Sequence, residues 1–239
     1  GDPYAQQLVH HLVLALAEAG WSLRLGRSIA EMGEVLAAEH ETVASACVAA
    51  FFAADHVNDL DDLPLPVVLL DSEPVPGRHG IASDNRMGME AAVAAAVGLG
   101  HRRIGHVHGL DYTLSARERL DTFRTAMADA GLPVEAGAIK RGFFDPGSGY
   151  AAMAAWAAAG DLPTAVICAN DLMAIGAMHW LADQGLKPGR EVSIVGFDDL
   201  ACAALMRPAL ATIALDFRAH TRAVLAAVMD IHHPTVRRT

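Results

Sequence analysis

The stretch TAVICANDLMAIGAMHWLADQ, residues 164–184, decides the fold. Thr164–Cys168 is a short apolar run rich in β-branched residues, the pattern of a strand buried on both faces. Asn170 and Asp171 follow, with side chains suited to accept from the free N–H groups of a helix start. Apolar residues then recur at helical spacing to Gln184. Strand followed by helix is half of a βαβ unit, and a buried strand of this kind belongs to a parallel sheet. The same alternation continues on either side. Downstream come strand Glu191–Phe197, a short strand Ala211–Leu215 and a last helix from Asp216 to about Asp230. Upstream, Asp84 caps a predicted helix to Leu99 that Gly100 closes, before strand Arg103–His108. A helix then runs to Ala130 and stops at Gly131, followed by a strand near Ala138–Arg141 and a helix from Ser148. At the amino end, Asp2 is the expected cap, Pro3 the first helical residue and Gly20 the stop. Trp21–Leu25 alternates like a strand, helical material reaches about Glu39, and the runs Val43–Phe52 and Pro66–Leu70 follow. The predicted class is α/β with parallel sheets.

The 239 residues are 53% hydrophobic and 19% charged, enough for one large domain or two lobes and far from the composition of a disordered chain. No apolar run reaches the roughly 18–20 residues that span a bilayer. The start, Gly1-Asp2-Pro3-Tyr4, has neither the basic region nor the cleavage site of a secretory signal. Cys47, Cys168 and Cys202 are odd in number and scattered through apolar stretches, which reads as free thiols in a reducing compartment. A formal charge of −10 opposes phosphate backbones, so the chain is not expected to grip nucleic acid by itself. These features predict a cytoplasmic protein with no membrane partner.

Open parallel sheets bind ligands outside the carboxyl ends of their strands. Asp71, Gly109–Thr113, Asn170 with Asp171, and Asp198 with Asp199 each follow a predicted strand, so four strands deliver polar side chains to one edge. Each is also an ordinary cap or turn former. Ser115 and Glu118 read as a capping box. That places Arg117 in the first turn, where the macrodipole disfavours a cation. Two readings remain for Arg117: a surface ion pair, or a guanidinium that binds hydroxyls or a carboxylate. Phe143 and Phe144 either stack on a sugar or base face or belong to the core. Other motifs lead nowhere. Gly98-Leu99-Gly100 ends a helix, Gly147-Ser148-Gly149 is neither a nucleophile elbow nor a phosphate loop, and His106 with His108 lacks further metal ligands. No catalytic residue, metal site or cofactor is predicted.

Four segments resemble the effector domain of the lactose/galactose repressor (LacI/GalR-type) family. They are SDNRMG (83–88) leading to LGHRRI (99–104), SARER (115–119) with Phe123, ANDLMAIG (169–176) and VSIVGFDD (192–199), in the family's order and spacing. The resemblance implies two Rossmann-like lobes of the periplasmic-binding-protein type I fold joined by three crossovers, with effector in the cleft. Residues 1–82 and 216–233 would form the amino-terminal lobe, and residues 83–215 the carboxyl-terminal lobe. It also implies effector contacts from Arg117, Asn170, Asp198, Asp71, Phe144, Thr113 and Phe217, with Asp2 and Tyr4 in the first contact loop. Leu215 stands where some sugar-responsive members carry glutamine. The resemblance further implies a strand, a hinge helix and a helix-turn-helix headpiece before Gly1, through which operator DNA would be read, and a homodimer.

The expected function is therefore effector sensing for transcription control. The ligand would be a sugar or sugar derivative, which a set of Asp, Asn, Arg and a stacking aromatic suits, or else a nucleobase, which the family also uses. The alternative is a periplasmic sugar-binding protein for import. The Phe-Asp-Asp segment, the Ser-Ala-Arg-Glu segment and the cysteines favour the regulator. A doubly wound enzyme is the third class, and it lacks a nucleophile–base–oxyanion set.

Overall fold

The computed structural model describes residues 3–22, 47–50, 66–72 and 74–232. The chain divides into two compact units, Gly1–Ser83 with Asp216–Thr239, and Asp84–Leu215.

The first unit contains α1 (Pro3–Glu18), the strands β1 (Cys47–Ala50), β2 (Val67–Leu70) and β3 (His79–Ile81), and the last helix, α6 (Phe217–His232). The strands are parallel in the order β1-β2-β3. Every residue of β2 is buried, as the continuous apolar run requires. Helix α1 buries Leu8, Leu12 and Leu16, a single i, i+4 stripe, and packs against α6, which buries Val224, Ala227 and Val228. Gly20 takes φ +79° and lets Trp21 N–H turn back to the Leu16 carbonyl at 2.8 Å, so the chain leaves the helix where sequence places the stop. Trp21 and Ser22 lie in no strand. The rest of the predicted Trp21–Leu25 strand and the helical stretch to Glu39 fall outside the described residues. Strand β3, with Gly80 at its centre, is too short and too exposed to carry a hydrophobic signal.

The second unit holds β4 (Ile104–His108), β5 (Ile139–Arg141), β6 (Ala165–Cys168), β7 (Ser193–Asp198) and β8 (Ala211–Ala214). Its helices are α2 (Asn85–Gly98), α3 (Leu114–Asp129), α4 (Pro146–Ala158) and α5 (Asp171–Asp183). All pairings are parallel, in the order β5-β4-β6-β7-β8. Alternate residues of β6 serve two cores. Val166 and Cys168 pack with α4 and α5, whereas Ala165 and Ile167 pack with α2 and α3. The chain runs from β4 to one neighbour, β5, and then returns to the other, β6. Connections therefore diverge between β4 and β6, the switch point at which open sheets leave a crevice at their carboxyl ends.

Two helix starts differ from the sequence reading. Thr113, not Ser115, caps α3: its Oγ1 accepts from Ala116 N–H at 3.3 Å. Ser115 is already helical, and Glu118 accepts from Asn85 Nδ2 at 2.7 Å instead of closing a capping box. Asp145 caps α4, accepting from Ser148 N–H at 2.8 Å, so that helix begins at Pro146, two residues before Ser148. Among the described residues no helix is long and apolar enough to cross a membrane.

Candidate functional site

The carboxyl end of the second unit's sheet gathers four predicted side chains. Asn170 ends the link from β6 and caps α5, its Oδ1 accepting from Met173 N–H at 2.9 Å. Its Nδ2 donates to the Phe144 carbonyl at 3.2 Å, tying the end of β6 to the loop after β5. Phe144 has φ +60°, an unusual conformation for a bulky residue. Its ring covers Gly109, where a Cβ would come within 2.0 Å of the aromatic carbon Cζ. Asp198 closes β7 at φ 111° and is 3% exposed. Thr113, besides capping α3, donates to the Leu110 carbonyl at 2.9 Å.

Arg119 is the residue sequence reading missed. It is 4% exposed. Its Nε donates to Asn85 Oδ1 at 2.8 Å, one terminal nitrogen donates to the Ala169 carbonyl, and the same nitrogen lies 3.5 Å from Asp198 Oδ1. The guanidinium carbon sits 3.7 Å from the centre of the Phe197 ring. A buried cation needs this density of partners, because desolvation alone costs several kcal/mol. Arg117 donates to the Asp111 carbonyl at 2.9 Å, on the loop after β4. The signal available was the helical period: Arg119 stands three residues after Ala116 and four before Phe123, on the stripe that α3 buries.

A second network holds the Asp198–Asp199 turn. Asp171 accepts from Leu200 N–H at 2.7 Å and from Thr212 Oγ1 at 2.5 Å, and Thr212 Oγ1 accepts from Asp199 N–H at 3.2 Å. Burial pushes the Asp171 carboxyl up to about 6, against the opposing pull of the Thr212 and Leu200 hydrogen bonds. The described non-glycine residues with positive φ are Asp71, Phe144, Asp198 and Asp199. All four end or follow strands at the carboxyl ends of the two sheets, where strain of about 1–3 kcal/mol per residue is commonly tied to function.

In the first unit, Asp71 is buried at the end of β2 with φ 48°. Tyr4 donates its hydroxyl to Asp71 Oδ2 at 2.5 Å, and Ser83 N–H donates to Oδ1 at 3.2 Å. The rings of Tyr4 and Phe217 are 5.4 Å apart, and His11, seven residues further along α1, stacks on Phe217 at 5.7 Å. The first unit thus brings Asp71, Tyr4 and Phe217 together, and Asp2 lies outside the described residues.

Among the described residues no group of three His, Cys, Asp or Glu is placed to hold an ion. His106 is wholly buried, its Nδ1–H donating to the Ile167 carbonyl at 2.8 Å and its ring 5.0 Å from Phe123. Burial lowers its pKa to about 3. A surface hollow of about 730 Å³, lined by Arg124, Leu132, Val134, Glu135 and Ile139, lies where the chain enters β5. That is the amino end of the strand, away from the polar side chains, so the sheet's carboxyl edge remains the candidate site.

A model of the periplasmic binding protein-like domain matches residues 93–238, more than half of the chain. The HTH-type transcriptional repressor PurR of Pasteurella multocida (strain Pm70) is 34% identical over 166 residues, 67% of this chain and 50% of that protein. The repressor of the same name from Haemophilus influenzae (strain PittEE) is 33% identical over 149 residues, 62% of this chain and 44% of that one. The chain thus spans about half the length of the curated relatives it matches. Among solved structures, the transcriptional regulator CelR in complex with cellobiose superposes with a TM-score of 0.85 at 28% identity, covering 98% of this chain and 74% of that one. A LacI transcriptional regulator from a Rhodococcus species gives 0.84 at 25% identity, covering 97% and 88%. Those relatives are repressors and regulators of transcription. The chain belongs to the periplasmic-binding-protein-like family, in the form that LacI-type transcriptional regulators use as their effector-binding domain.

Proposed function

We propose that this domain binds a small polyhydroxylated effector, a sugar or sugar derivative, and thereby controls DNA binding by a helix-turn-helix headpiece in a cytoplasmic homodimer. The carrying observation is the buried Arg119–Asp198 pair beside Asn170, gathered at the carboxyl ends of β6 and β7, next to the switch point. Fixed donors and acceptors of both signs suit vicinal hydroxyls, which donate and accept in fixed directions, and Phe144 offers a ring face. In this reading Asp71, Tyr4, Phe217, Asp2 and Thr113 remain candidate effector contacts. Arg119 takes the inward place expected of Arg117. The cellobiose bound by CelR supports a saccharide over a nucleobase. Effector acts by preferring one arrangement of the protein over another, since a ligand shifts an equilibrium only through unequal affinity.

A thermal-shift screen of sugars, sugar acids and nucleobases tests the reading. A ligand at 100 times its Kd stabilises by about 2.7 kcal/mol, a shift of several degrees. The hit should be lost in Asn170→Ala, where a hydrogen-bonding contact disappears. Stabilisation by nucleobases alone would replace the sugar, and a hit indifferent to Asn170→Ala would move the site.

A further inference from the structure

We infer that the second unit carries an outer subsite, built by Tyr112, Phe143, Arg141, Asp111 and Arg117, that takes the second ring of a disaccharide or glycoside. The inference rests on the saccharide reading of the inner site and extends it. Tyr112 and Phe143 are 59% and 54% exposed, large apolar rings on the loops after β4 and β5. Phe143 stands on a fixed frame, and Tyr112 follows Asp111, which belongs to it. Arg141 lies 3.2 Å from Asp111 Oδ2 and 5.8 Å from the centre of the Phe143 ring. His108 Nδ1 is 3.6 Å from the other Asp111 oxygen, and Arg117 donates to the Asp111 carbonyl at 2.9 Å. Phe143 N–H donates to Ser148 Oγ at 3.0 Å. Two loops from neighbouring strands are thus joined through one aspartate, and each loop carries an exposed ring.

The placement gives the direction. Asn170, Asp198 and the Arg119 guanidinium serve the ends of β6 and β7, whereas the outer set serves β4 and the edge strand β5. From β6 to β5 is two strand spacings, roughly 10 Å. One ring held by the inner set therefore leaves the outer set within reach of the next ring along the sheet edge. Pyranose rings have apolar C–H faces and hydroxyl rims. Tyr112 and Phe143 match the first, and Arg141, Asp111 and Arg117 match the second.

Titration calorimetry of the purified protein with matched pairs tests this: glucose with cellobiose and with maltose, and galactose with lactose. One disaccharide should bind at least about tenfold more tightly than its monosaccharide. Tyr112→Ala and Phe143→Ala should each cut that ratio by about tenfold, while Phe143→Trp, which keeps a ring face, should hold it within about threefold. Equal affinities within every pair overturn the subsite and leave the inner site standing. So does an undiminished ratio in both alanine variants, including a result in which they alter only self-association. Failure of every saccharide to bind the unsubstituted protein overturns the saccharide reading, and the subsite with it.

Discussion

At the scale of single residues, Arg119 and Asp198 decide more than any other pair. Each is nearly inaccessible to water, and each is the other's ion-pair partner at 3.5 Å. Removing one member of such a pair leaves a charge with too few partners in a poorly polarisable place, a loss of about 3–5 kcal/mol. Arg119→Met should therefore destabilise the second unit by that order, measured by urea unfolding followed through Trp156 and Trp180. If the pair acts as a unit, Arg119→Met with Asp198→Asn should cost at least about 1 kcal/mol less than the sum of the two single changes. Strict additivity would mean that Arg119 stands on Asn85, the Ala169 carbonyl and the Phe197 ring, and that the ion pair is incidental.

At the scale of elements, the corrected start of α3 makes a clear comparison. Thr113 satisfies a free N–H of the first turn, so Thr113→Ala should cost about 1 kcal/mol, whereas Ser115→Ala should stay within about 0.5 kcal/mol. The reverse order would restore the capping box. Helices α4 and α5 meet through glycines: a Cβ on Gly149 would fall 1.9 Å from the Met173 carbonyl oxygen, and one on Gly176 would fall 1.8 Å from that of Pro146. Alanine at either position forces the helix backbones apart, and overpacking of this kind costs about 1–3 kcal/mol. These elements also show what the residues alone disclose. Continuous apolar runs such as Val67–Leu70 and Ala165–Cys168 announce buried parallel strands, and Asp84, Asn170 and Asp216 announce their helices, because side-chain caps act over three residues. The start of α3 was hidden, since Thr113 and Ser115 are both good caps and only the tertiary partner of Glu118, Asn85, separates them. The inward arginine was legible from the period, because Arg119 shares the buried stripe of Ala116, Phe123 and Met127, but its ion-pair partner Asp198 comes from a distant strand.

At the scale of the whole molecule, two buried titrating groups of the second unit pull its stability in opposite directions with pH. His106 has an ordinary pKa of 6.5 lowered to about 3 by burial. Between those values the unfolded chain binds a proton that the native chain refuses, so stability falls as pH drops from 6.5, with a slope of up to about 1.4 kcal/mol per unit. Asp171 behaves oppositely. Its carboxyl is raised from 3.8 to about 6, so across that interval the native chain holds the extra proton and stability falls as pH rises. From about pH 4 to 6 the two slopes have similar size and opposite sign, and their sum is close to flat. Isosteric substitution separates them. His106→Asn keeps a donor for the Ile167 carbonyl and Asp171→Asn keeps an acceptor for Leu200 N–H, yet neither titrates. Urea unfolding at pH 4, 5, 6 and 7 should show the His106→Asn profile tilting downward with rising pH relative to the unsubstituted protein. The Asp171→Asn profile should tilt upward. Above about pH 7 both differences should become constant, because neither group then changes protonation in either state. Profiles parallel to that of the unsubstituted protein over the whole range would show that the two buried sites admit enough water to titrate normally, and the cancellation would have another origin.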